Sequence, residues 1–154
     1  QTCALPISTP RLDPVLAAIR KLADGRLCSP GPMQYAVAAA LTGDRSHQTT
    51  FRAALAERGA LTAQAFSSTP GMACVAPRAA FYALPSVELP PGHTDEQFVL
   101  ALLNATGVLV VHGSGFGMPP EKGFFRVVFL ADPGTLRSIY TDVADFTKEY
   151  LRTA

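Results

Sequence analysis

TGVLVVHGSGFG at residues 106–117, followed shortly by FFRVVFL at residues 124–130, decides the fold of this chain. Both runs have the apolar, β-branched character of strands, and the second carries a single charge, Arg126. On a strand Arg126 shares a face with Phe124 and Val128, where an unpaired buried charge would cost roughly several kcal/mol. Its planar fork suits a carboxylate held by two parallel charge-assisted hydrogen bonds. The competing reading is an edge-strand arginine that reaches solvent or pairs with a protein carboxylate such as Glu121. The loop of Gly113, Ser114, Gly115, Phe116 and Gly117 either shapes the rim of a small pocket or is a flexible hairpin connection. So much glycine in one ordered loop is costly, which favours the rim. A dinucleotide fingerprint would have to open a helix, and MPPEK after Gly117 cannot easily do so; the Lys and Ser/Thr of a phosphate loop are also missing.

Outward from this pair, the sequence is that of an ordinary globular domain. Its 154 residues, 48% of them apolar, suffice for a core, and 13 basic against 12 acidic residues give no pull toward nucleic acid or an anionic membrane. Cys3, Cys28 and Cys74 have no metal-ligand spacing and leave an odd count, so a reducing, cytoplasmic setting is expected. No apolar run approaches the roughly 20 residues of a membrane span.

The periodicities predict a helix opened by Asp13-Pro14, with Leu12, Val15, Leu16, Ile19 and Leu22 on one face and Gly25 at its end. A turn at residues 28–33 leads to an alanine-rich helix at 34–41. A long helix at about 46–66 carries Phe51, Leu55 and Leu61 on one side. Strands are expected at 72–75, 79–84, 108–111 and 124–130, with 87–92 as loop. Thr94-Asp95-Glu96-Gln97 reads as a capping box opening a helix with Phe98, Leu102 and Ala105 inward. Asp132-Pro133 caps a last helix whose Leu136, Ile139, Tyr140, Val143 and Phe146 face the sheet. This order makes a small α+β unit with helices over one face.

The other polar candidates are weaker. His47, His93 and His112 are scattered and make no metal site. Ser114 lies on no nucleophile elbow. Tyr82 reads as core or interface, and Lys21, Lys122 and Lys148 as solvated.

The two opening runs, with GRLCSPGPMQ at 25–34 and AAFYALPSVELP at 79–90, resemble the carboxy-terminal part of the fold-type I, class I/II pyridoxal-phosphate aminotransferases, most of all the alanine aminotransferases. The resemblance spans about residues 11–152. It implies a short, mainly antiparallel sheet with helices packed on it, preceded by helices of an interdomain region, most of the large cofactor-binding domain being absent. Residues 1–8 are then a non-native leader, 9–45 a remnant of the large domain, 46–68 an interdomain helix and 69–154 the small domain. The implied reaction moves the amino group of L-alanine to 2-oxoglutarate on pyridoxal 5'-phosphate in a homodimer, with small amino and 2-oxo acids as substrates. Arg126 takes the family's substrate-carboxylate role and Gly113, Ser114, Gly115, Phe116 and Gly117 form the pocket rim. His112 departs from the family, which usually has proline there. The Schiff-base lysine would precede Thr9, so this chain alone is expected to be inactive and no cofactor contact can be placed on it. Two other classes stay open: a lyase of the same fold, like aminocyclopropane carboxylate synthase, and a free-standing small-molecule binding or interaction domain.

Overall fold

The computed structural model describes residues 10–25 and 31–153, so the leader expected at 1–8, Cys3, Cys28 and the first half of the turn expected at 28–33 lie outside the described residues. The chain divides into two compact units, Gln1–Arg45 and Ser46–Ala154.

In the first unit, α1 (Asp13–Asp24) follows a 3-10 turn at Pro10–Leu12. Leu12, not Asp13, occupies the cap position, and no side chain caps the helix. Asp13 instead acts as a first-turn acid against the helix dipole. Helix α2 (Gly31–Thr42) takes in the end of the expected turn, because Pro32 is compatible with a first helical turn. The apolar stripe of α1 is present, but Val15, Ile19 and Leu22 are exposed.

The second unit is built on α3 (Ser46–Ser67), α4 (Asp95–Thr106) and α5 (Pro133–Thr153) around short strands. Strands β1 (Met72–Ala73) and β3 (Ser86–Val87) form one antiparallel pair. Strands β2 (Tyr82–Ala83), β5 (Phe125–Val128) and β4 (Val111–His112) form an antiparallel sheet in the order β2-β5-β4. A bridge between Ser86 and Phe124 joins the two sheets.

Every expected strand is shorter than its apolar run. The one at 79–84 shrinks to two residues because Ala80 sits at φ 61°, outside the extended region. Expected loop 87–92 begins instead as strand β3, held extended by Val87 N–H donating to Gly123 O and Phe125 N–H to Pro85 O.

Phe125 and Val127 point to the closed face, where they meet Phe66, Phe98, Leu102, Phe129, Leu136, Tyr140 and Val143 in one core. Ile139 and Phe146 are partly buried against it. Ala105, expected inward, is exposed, and so is Phe51, at the start of the α3 stripe. The second half of α3 brings Leu61, Thr62 and Phe66 to this core and packs along α5. There Thr62 Oγ1 and Tyr140 OH are 2.9 Å apart. The capping box forms as expected: Gln97 N–H donates to Thr94 Oγ1, and Thr94 N–H to Gln97 Oε1. Ahead of it, His93 Nδ1 lies 2.7 Å from Tyr150 OH, which ties the loop before α4 to the end of α5.

Candidate carboxylate-binding site

The period of two along β5 puts Arg126 on the face opposite Phe125 and Val127. Its register partner is Val111 on β4, and Val128 next along that face pairs with Tyr82 on β2. Directly opposed residues of an antiparallel pair share a face, so Arg126 stands at the centre of a patch made by Tyr82, Val111 and Val128. These three side chains are exposed, so this face of the sheet is open.

The Arg126 guanidinium carbon lies 4.3 Å from the Phe116 ring centroid and 5.6 Å from that of Tyr82. Its Nε is buried without a hydrogen-bond partner. Among the described residues Arg126 makes no ion pair, with Glu121 or any other acid; the ion pairs there are Lys148 with Asp145 and Arg152 with Glu149, both exposed. A partly buried cation against two rings retains an edge of N–H donors for an anion.

The loop that delivers Phe116 is ordered. Residues Gly113–Phe116 form a 3-10 turn closed by Gly117 at φ 84°, whose N–H donates to the carbonyls of Gly113 and Ser114. Gly113 N–H donates to Phe124 O at 2.7 Å, so close that a Cβ on Gly113 would lie 2.6 Å from the Phe124 Cβ. Ser114 is held by Asp95, the first residue of α4: its N–H donates to Asp95 Oδ2 at 2.6 Å and its Oγ to Oδ1 at 3.0 Å. His112 Nδ1 is 2.8 Å from Ser114 Oγ and 3.3 Å from Gly115 N. Gly115 N–H donates to His112 Nδ1 and the Ser114 hydroxyl to Asp95 Oδ1, while the direction of the contact between Nδ1 and Ser114 Oγ follows the imidazole tautomer. Asp95 reaches serine and not histidine, so these three residues do not form a nucleophilic triad.

The sequence reading names Arg126 as the carboxylate-binding residue and the loop as its rim, and the structure sets Arg126 beside Phe116 of that loop and Tyr82. It missed Asp95, taken only as part of a capping box. The available signal was a second acid in that first turn, since Glu96 alone would serve the helix dipole. A cavity of about 680 Å³ between the first half of α3 and the 77–80 loop, lined by Arg52 and Arg78, lies elsewhere.

The family model of aminotransferase class I and II matches residues 7–140. The chain belongs to this family. This aminotransferase chain is 35% identical over 156 residues to alanine aminotransferase 1 of Bos taurus, covering 86% of this chain and 32% of that protein. It is 35% identical over 133 residues to the glutamate-pyruvate aminotransferase AlaA of Haemophilus influenzae, covering 84% and 33% respectively. The solved alanine aminotransferase of Pyrococcus furiosus superposes with a TM-score of 0.76 at 37% identity, over 91% of this chain and 35% of that one. The chain thus spans about a third of the length of these relatives, their carboxy-terminal part.

The family implies pyridoxal phosphate in the parent enzyme. The residues present do not fit that group: Lys21, Lys122 and Lys148 are all exposed, and Lys148 is paired with Asp145. A Schiff-base lysine works from an enclosed pocket, and all three side chains lie in solvent. No chemical step through the cofactor is assigned to this chain.

Proposed function

We propose that this chain supplies the substrate-carboxylate side of an aminotransferase that uses L-alanine and 2-oxoglutarate, with Arg126 as the carboxylate-binding residue and residues 113–117 as the rim. The observation that carries it is the guanidinium on an open sheet face, flanked by Phe116 and Tyr82 and without an acidic partner among the described residues. A guanidinium set between two rings on an open sheet face, with no acid beside it among those residues, keeps N–H donors for a ligand carboxylate. The alanine-type relatives support the choice of substrates. In the whole enzyme, residues 9–45 belong to the large domain, α3 runs between the domains, and two copies form the dimer; pyridoxal phosphate serves as electron sink. Arg126 contributes binding and orientation, fixing the Cα–H of the amino acid relative to the reacting centre.

The test uses the full-length enzyme containing this chain. Arg126→Ala removes charge and fork, Arg126→Lys the fork alone. The loss for Arg126→Ala should be about 2–5 kcal/mol, or roughly 30-fold to a few thousand-fold in kcat/KM, for alanine and 2-oxoglutarate alike. The gap between an amino acid and the matching amine without a carboxylate should shrink. If both fall by the same factor, or neither falls, Arg126 is structural and the proposal fails.

A further inference from the structure

We infer that Asp95 is a positioning residue for Arg126, acting through the loop at residues 113–117; the functional value of this position rests on the carboxylate-binding reading above. Asp95 is fully buried, and no cation pairs with it among the described residues. Burying an unpaired carboxylate is costly unless its oxygens are satisfied by hydrogen bonds. One bond is local, from Glu96 N–H at 2.8 Å; the other two come from the backbone and hydroxyl of Ser114, nineteen residues on. An acid serving only the start of α4 could remain in solvent, as exposed Glu96 does.

What Asp95 fixes is a closed unit. Gly117 locks the turn at one end and the Gly113–Phe124 bond fastens the other to the strand of Arg126. Phe116, two residues past Ser114, then has little freedom over the guanidinium, and Arg126 in turn is confined on that side. The contacts of His112 Nδ1 with Ser114 Oγ and Gly115 N–H support the same loop.

Asparagine cannot replace Asp95. Oδ1 receives the N–H of Glu96 and Oδ2 that of Ser114, and neither backbone donor can reverse. In either orientation the amide NH2 of Asn would face one of them.

The experiment pairs a nitrogen-15 spectrum of the full chain, read at the Arg126 Nε–H, which feels the ring current of Phe116, with a carbon-13 spectrum read at the core methyl groups. Phe116→Leu gives the reference position without the ring. Asp95→Asn is expected to move the Arg126 signal toward that reference while the methyl signals of Leu102 and Val143 stay in place. Ser114→Ala, which keeps the N–H bond and loses the hydroxyl bond, should move it the same way by less. Titration with 2-oxoglutarate should weaken by roughly tenfold in Asp95→Asn, within the range that a misplaced contact costs. An Arg126 signal unmoved by Asp95→Asn overturns the inference whatever the titration shows. If Asp95→Asn does not fold, Ser114→Ala decides alone: a shift supports the inference and none overturns it. A signal that moves in Asp95→Asn, where the unsubstituted protein itself does not bind 2-oxoglutarate, upholds Asp95 as positioning Arg126 and counts against the carboxylate reading instead.

Discussion

The Arg126 guanidinium and the Phe116 ring meet by cation–π contact at 4.3 Å, with no hydrogen bond between loop and strand at that point. Such a contact restrains the plane of the guanidinium and consumes none of its N–H donors. Phe116→Leu should therefore cost about 0.5–1 kcal/mol in the ordering of Arg126. It should weaken carboxylate binding less than Arg126→Ala does, and comparing the two variants by titration with 2-oxoglutarate checks the order.

The loop glycines are not equivalent. Gly113→Ala would drive a Cβ into the backbone and Cβ of Phe124, and overpacking of this kind costs about 1–3 kcal/mol. At Gly115 the nearest atom to an added Cβ is His112 Cε1 at 3.4 Å, an ordinary contact. Urea midpoints should fall for Gly113→Ala and stay near the parent value for Gly115→Ala.

Thr62 and Tyr140 give a test of the core. Thr62 Oγ1 donates to Arg58 O at 2.8 Å, so the bond between the two side chains has Tyr140 OH as donor. Tyr140→Phe removes that donor and should cost about 0.5–1.5 kcal/mol. Thr62→Val strands the buried phenol and should cost more, about 1–3 kcal/mol. Equal losses in denaturant unfolding would mean that Tyr140 finds another acceptor.

Stability should decline at both ends of the pH scale for identifiable reasons. Burial pushes the Tyr140 hydroxyl above its ordinary 10.0, Thr62 opposing and Cys74 adding to the rise, and burial also raises the Cys74 thiol above 9.0. Both groups keep their protons longer folded than unfolded, so their contribution is complete below pH 9 and is lost as pH climbs through the folded values. At the acid end, the Thr135 hydroxyl and then its N–H hold Asp132 below its ordinary 3.8. That contribution is present above 3.8 and lost as pH falls through the folded value. Amide protection at Gly134 and Thr135, corrected for the intrinsic exchange rate at each pH, should fall on acidification before that of the core residues.

The chain alone should not transaminate. Mixed with pyridoxal phosphate, alanine and 2-oxoglutarate, it should form pyruvate no faster than the free cofactor does. Borohydride trapping of stoichiometric cofactor on Lys21, Lys122 or Lys148 would contradict this.

The long-period features were legible in the residues. The α5 stripe, the Thr94–Gln97 box and the alternation around Arg126 depend on neighbours a few positions apart, and each is present, although Ala105, expected inward, is exposed. Strand lengths were not legible, because Ala80 takes a positive φ that no residue pattern announces and β3 depends on partners far along the chain. Asp95 escaped for the same reason: its bonds to Ser114 are a tertiary fact, and locally it looks like any first-turn acid. The apolar residues of α1 share a face, yet Val15, Ile19 and Leu22 are exposed, since periodicity reports an apolar face and not what covers it.

Tyr150 makes the end of this chain a poor place to trim. Its hydroxyl reaches His93, two residues before Asp95, and its ring lies against Phe98 one turn further into α4. Cutting before Tyr150 would free the entry to α4 and, through it, the footing of the glycine loop, so a shortened version could keep its helices and still handle carboxylates badly. A purification handle added after residue 153 would leave Tyr150 and its tie in place.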